Sequence, residues 1–162
     1  MRAIPDTTDQ AYSAKIGHAH LKVRDLDRAV AFYERFLKLR VTERVGDHYV
    51  FMTGGAFHHE IALQRVAPDA PAPARHGTGL YHVAFEVPSK RDFAAAYATL
   101  TAADVSVAPV DHFISWAMYF DDPDGNGLEI YYDTRNEPDG RSLWRGENID
   151  LPPEKILAAL VE

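Results

Sequence analysis

An α+β fold built from two βαβββ units is what this sequence predicts, and three observations predict it. A histidine-led strand running into a helix occurs twice, as His18-Ala-His-Leu-Lys-Val and His82-Val-Ala-Phe-Glu-Val, and in both copies a tyrosine, Tyr33 or Tyr97, follows the histidine by 15 positions. Around each copy, period-two alternation and three-and-four spacing succeed one another in the same order. Between the copies lies a segment, 67–79, whose Pro68, Pro71 and Pro73 suit neither a strand nor a helix interior. The 162 residues suffice for one domain with a proper core. They divide into an arm (1–15), a domain (16–135, with units 16–66 and 80–133) and a tail (136–162).

The elements follow in order. From Gly17 to Arg24, His18, His20 and Lys22 alternate with Ala19, Leu21 and Val23, as a half-buried strand requires. Asp25 can cap a helix whose apolar positions, Leu26, Ala29, Val30, Tyr33, Phe36 and Leu37, form one face. Leu39 to Val45, His48 to Thr53 and Glu60 to Val66 read as strands separated by Gly46-Asp47 and Gly54-Gly55 turns. The second unit repeats this with a strand from Leu80 to Val87 and a helix from the Ser89 cap to Leu100. Strands follow at Val105 to Val110, Trp116 to Asp121 and Leu128 to Tyr132, the last launched by the turn Asp122-Pro-Asp-Gly-Asn-Gly127. In the tail, Pro152-Pro153 opens a short helix with an apolar stripe, Ile156, Leu157, Leu160 and Val161, that covers either this domain or a second subunit.

Composition narrows the partners. A net charge of −7 with no local Lys/Arg cluster offers no footprint for a nucleic-acid backbone. No apolar run approaches the roughly 20 residues of a membrane span, and the first residues hold no signal-peptide core, so the expected location is cytoplasmic. Zero cysteines leaves nitrogen and oxygen as the donors for any metal.

The histidines at equivalent points of the repeat are the candidate chemistry. The apolar side of each first strand faces its helix, so His18 and His82 point to the opposite face, where Glu129 of the last strand joins them. A lone strand histidine is more often hydrogen-bonded structure than ligand. Recurrence at matched positions is what independent core histidines would not show. Two imidazoles and one carboxylate leave open positions on an octahedral metal, the arrangement of non-haem Fe(II) oxygenases.

These segments, Gly17-His18 to Tyr33, Tyr81-His82 to Val87 and Asp122 to Tyr132, resemble the vicinal oxygen chelate superfamily. That group holds glyoxalase I, fosfomycin- and bleomycin-resistance proteins and extradiol ring-cleaving dioxygenases. The resemblance covers 16–133 and implies that the paired βαβββ modules form an open, cup-shaped barrel around one divalent metal held by His18, His82 and Glu129. Glyoxalase-like members carry a fourth ligand at a position that falls here on Ala62, which cannot ligate. The closest match in pattern is therefore a single-module extradiol, catechol 2,3-dioxygenase-like enzyme using Fe(II), with Mn(II) as the alternative metal, and an aromatic diol and O2 as substrates. The other readings are a thiol transferase or isomerase of the fosfomycin-resistance or glyoxalase type, and a non-enzymatic drug- or metabolite-binding protein. A homodimer is expected.

The resemblance further implies His59 as the catalytic acid/base, with His58 its rival because alternation from Ala62 favours His58, and Tyr119 as the hydrogen-bond partner of the substrate oxygen. His20 and His112 are read as substrate-binding. Trp116, Tyr131, Phe51 and Phe113 are candidates for lining a flat ring, and His48 and His76 read as surface residues.

Overall fold

Burial in the first strand alternates as the sequence demands: Leu21 and Val23 are buried while His20 and Lys22 face outward. The computed structural model describes residues 14–74 and 76–161, so the arm up to residue 13 lies outside the described residues. Strand β1 (Ala19–Val23) leads into helix α1 (Leu26–Leu37), and β2 (Arg40–Val45), β3 (Tyr49–Thr53) and β4 (Ile61–Arg65) complete the first unit. The Asp25 side chain accepts from Arg28 N–H at 3.0 Å, which starts α1. The helix ends at Lys38, in the left-handed region at φ 56°. The sheet order is β1-β4-β3-β2, with β1 parallel to β4.

The second unit repeats the order with β5 (Val83–Glu86), α2 (Lys90–Thr101), β6 (Ala108–Asp111), β7 (Ser115–Asp121) and β8 (Gly127–Asp133). Its sheet runs β5-β8-β7-β6-β9, the last strand, β9 (Ile149–Asp150), coming from the tail. The expected strand from Leu80 shortens to Val83–Glu86, because its ladder begins only where Val83 meets Leu128. Residues 105–107 likewise stay outside β6, Val105 N–H still bonding back to Leu100 O at the helix end. A Cβ at Gly127 would lie 2.2 Å from Tyr81 O, so glycine is what lets β8 begin against the residue preceding His82.

Each helix covers one face of its sheet. Val23, Tyr33, Val50, Met52 and Leu63 are fully buried in the first unit, and Phe93, Leu100, Met118 and Leu128 in the second. The units meet on this helix side: α1 contacts α2, and Phe32 of α1 lies 6.3 Å from Phe120 of β7, ring to ring. Helix α3 (Pro153–Ala158) packs on α2, burying Ile156 and Ala159. The tail stripe therefore covers this chain's own domain, while Leu157 and Val161 stay exposed. Among the described residues no helix is long and apolar enough to cross a membrane.

Candidate functional site

Strand pairing lays matching rows across the outer faces of the two sheets. In the first, His20 of β1 pairs with Ala62 of β4, which pairs with Phe51 of β3. In the second, Ala84 of β5 pairs with Glu129 of β8, which pairs with Tyr119 of β7. Ala62 is thus the register equivalent of Glu129, and Phe51 of Tyr119. The carboxylate and the phenol belong to the second unit alone.

On the second sheet His82 Nε2 and Glu129 Oε2 are 2.8 Å apart, and the His82 ring lies 5.3 Å from that of Tyr119. Glu129 is only 8% exposed. A carboxylate buried to this depth needs a hydrogen-bonding partner, and among the described residues His82 Nε2 makes that contact. Burial, and then the Glu129 carboxylate beside it, push the Tyr119 hydroxyl up to about 12, so it is protonated at neutral pH. His112 Nε2 lies 2.8 Å from the Tyr119 hydroxyl and its Nδ1 lies 2.5 Å from Asn148 Oδ1.

On the first sheet His18 is exposed and its ring lies 4.6 Å from that of His59. His59 also meets Phe51 at 4.9 Å. Strand β4 starts at Ile61, so alternation does not bind residues 58 and 59. His59 turns toward His18, and His58 turns away, its Nε2 3.1 Å from Glu43 Oε2. Nδ1 of His58 and Nδ1 of His59 are 2.8 Å apart, so one ring donates and the other accepts; the two cannot both be fully protonated. Desolvation, followed by the neighbouring His18 and His58, holds the His59 imidazole below its usual range and favours its neutral form. His20 stands edge-on to Tyr49 at 6.0 Å on the same open face.

The chain therefore carries two clusters, His18 with His59 and His82 with Glu129 and Tyr119. Among the described residues no three His, Asp or Glu side chains gather closely enough to hold one ion. The donor chemistry nonetheless fits a divalent metal: an imidazole nitrogen and a buried carboxylate oxygen aimed at one another, with a second imidazole, His18, in the other cluster at the matching place just before β1. The buried His82 Nδ1 has no hydrogen-bond partner among the described residues, so the ring is not tied down from behind.

The aromatic candidates separate. Phe51 and Tyr131 lie on the open faces, Tyr131 donating to Glu86 at 3.0 Å. Trp116 does not line this site: it is 6% exposed and packs against Phe93 on the helix side, sharing the apolar face of β7 with Met118 and Phe120, while Ser115, Tyr119 and Asp121 alternate on the other. Phe113 lies under the Arg141 guanidinium, 3.6 Å from its ring centre. Asn148 and Trp144, which reach His112 from the tail, have no periodic signal by which sequence could find them.

Comparison with known proteins adds the relationships. Residues 15–130 match the family described as the Glyoxalase/Bleomycin resistance protein/Dioxygenase superfamily. A catechol-2,3-dioxygenase of Bacillus subtilis is 32% identical over 130 residues, 80% of this chain and 44% of that protein. A biphenyl-2,3-diol 1,2-dioxygenase of Rhodococcus globerulus is 28% identical over 77% of this chain and 66% of its own length. The chain thus spans about half to two thirds of these relatives. Among solved structures, a glyoxylase/bleomycin resistance protein/dioxygenase domain from Frankia sp. is 25% identical with a TM-score of 0.64, over 75% of this chain and 99% of that one. A fosfomycin resistance protein from Listeria monocytogenes, at 18% identity, shares the fold with a TM-score of 0.59, over 78% of this chain and 98% of its own.

Proposed function

The chain belongs to the Glyoxalase/Bleomycin resistance protein/Dioxygenase superfamily, and from that premise we propose that it is an Fe(II)-dependent extradiol dioxygenase, opening a catechol-type ring with O2. The observation that carries the reading is the broken symmetry of the two rows: Glu129 with Tyr119 on one sheet, Ala62 with Phe51 at the same places on the other. A methyl group where a fourth ligand would stand leaves a coordination position for a chelating substrate.

His18, His82 and Glu129 hold the metal in this reading. The chemistry that bound Fe(II) supplies is activation of dioxygen beside a chelated diol. The protein's own groups manage protons and orientation. His59, whose Nδ1 meets His58 Nδ1, takes the proton that the diol loses on binding. Tyr119 hydrogen-bonds the substrate oxygen, with His112 behind it. His20, on the same open face as Phe51, contacts the bound ring from the first sheet.

A homodimer belongs to the same reading. The units join through their helix sides, which leaves His18, His20, Ala84 and Glu86 exposed on open faces. A second copy supplies the His18 cluster to the His82 and Glu129 of the first, and receives the reciprocal pair.

The test is anaerobic loading with Fe(II), followed by oxygen uptake and the yellow ring-fission product across mono- and bicyclic catechols. Uptake and colour in step are expected. Metal-loaded protein that gives neither overturns the reading, as does a turnover that persists without O2 once Mn(II) replaces iron, which would favour the transferase or isomerase class.

A further inference from the structure

We infer that Asn148 and Trp144, carried on the C-terminal segment, are positioning residues that lock His112 in its Nδ1–H tautomer and so commit the Tyr119 hydroxyl proton to His112 Nε2. The inference rests on the reading above only in supposing that a substrate hydroxyl faces Tyr119.

One group fixes the direction of this network because it cannot reverse. An indole Nε1–H is a donor only. Trp144 Nε1 lies 2.9 Å from Asn148 Oδ1 and 2.9 Å from Glu147 O, so it donates to both. The Asn148 amide is thereby oriented with its oxygen toward the indole. That same oxygen lies 2.5 Å from His112 Nδ1. An amide oxygen only accepts, so Nδ1 bears the proton. A neutral imidazole with its proton on Nδ1 presents a lone pair at Nε2. The Tyr119 hydroxyl, 2.8 Å from Nε2, must then be the donor. Four groups from three segments form one directed chain, from indole to amide and from phenol through imidazole to the same amide oxygen.

The segment that brings Asn148 is fastened on both sides of His112. Strand β9 pairs with β6 at Asp111↔Ile149 and Val110↔Asp150. Lys155 Nζ reaches Asp111 Oδ2 at 3.1 Å, and Arg141 N–H donates to Phe113 O at 2.9 Å. Phe113 itself is held at φ 65°, strained for a non-glycine residue, with its N–H bonded to Asp111 Oδ1 at 2.8 Å. The Trp144 ring stands edge-on to the imidazole at 5.8 Å, which sets the ring plane as well as its tautomer.

The consequence lies at Tyr119. With its proton directed to His112 rather than to the Glu129 carboxylate on the neighbouring strand, the Tyr119 oxygen meets a substrate hydroxyl as an acceptor.

The test is long-range ¹H–¹⁵N correlation on the full chain labelled at histidine nitrogen, with the His112 signals assigned by their loss in His112→Gln. The wild-type protein is expected to carry the His112 proton on Nδ1. Asn148→Asp, which keeps an acceptor oxygen, should retain that tautomer; Asn148→Ala and Trp144→Phe should shift it toward Nε2–H. A wild-type His112 with its proton on Nε2 overturns the inference, as does an unchanged tautomer in both Asn148→Ala and Trp144→Phe. Should Asn148→Ala fail to fold, the wild-type spectrum and Asn148→Asp decide alone. Where the chain turns over a catechol, Asn148→Ala should lower kcat by about 10–100-fold with KM little changed, and Asn148→Asp should restore most of it. The tautomer is read without turnover, so a chain that cleaves no diol yet shows the expected tautomers sinks the dioxygenase reading and keeps the lock.

Discussion

Asp122 makes four hydrogen bonds with one carboxylate. Oδ1 accepts from the N–H groups of Asp124 (2.8 Å) and Asn126 (2.9 Å), and Oδ2 from Tyr33 Oη (3.1 Å) and Asn126 Nδ2 (2.8 Å). Its neighbour Asp124 draws in Arg24 at 3.0 Å and Arg28 at 2.8 Å. The turn that sequence marks as a strand launcher is therefore also a staple from the second unit onto α1. Burial, and then the charge of Asp122, raise the Tyr33 hydroxyl far above its ordinary range, so it remains a donor at every pH the fold survives. Asp122→Ala strands this buried hydroxyl and two backbone N–H groups and should cost about 1–3 kcal/mol in urea unfolding. Tyr33→Phe leaves Asp122 its other donors and should cost about 1 kcal/mol or less. A loss for Tyr33→Phe as large as that for Asp122→Ala would count against the staple. The spacing of Asp, Gly and Asn betrays the turn because those residues set local backbone geometry. It does not betray Tyr33 as a partner, since that contact spans 89 positions.

Elements were legible to the extent that one face of each is apolar. Strand β1 and helix α1 show both periods cleanly and fall within a residue or two of expectation. β9 has two residues and no period, so its pairing with β6 could not be read. The tail helix was legible as an element, and its covering partner was not, because its stripe has more apolar positions than the interface uses. Ile156 is fully buried, whereas Leu157 is 40% exposed. Ile156→Ala should accordingly cost about 2–5 kcal/mol, and Leu157→Ala within about 0.5 kcal/mol of nothing. Chemical denaturation of both variants checks this; equal effects would mean that α3 docks on another face.

At the scale of the molecule, the repeat announces the fold, and its imperfections carry the proposed chemistry. His18 and His82 are candidates because the repeat sets them at matched points, and Glu129 because alternation in the last strand turns it to their face. Their distribution over two clusters was not readable, since nothing in the sequence tells which side of each unit meets the other. If a second copy completes each site, His18→Ala and His82→Ala proteins, each inactive, should recover about a quarter of wild-type activity when mixed and allowed to exchange subunits. Half of the dimers are then mixed, and each mixed dimer keeps one intact site of two. No recovery after demonstrated exchange places the site within one chain. The strand orders set a limit on such an assembly. Of the four outermost strands, β2 is charged through Arg40, Glu43 and Arg44 and carries a register shift between Val41 and Glu43, and β9 has two residues. Both are poor templates for a further strand. The outermost strands that remain are β1 and β5, those beginning just after His18 and His82. Were two copies to lay β1 against β5 reciprocally, as the proposed dimer requires, no template would be left to recruit a third, and the step that joins the two histidine clusters would also end the growth of the oligomer.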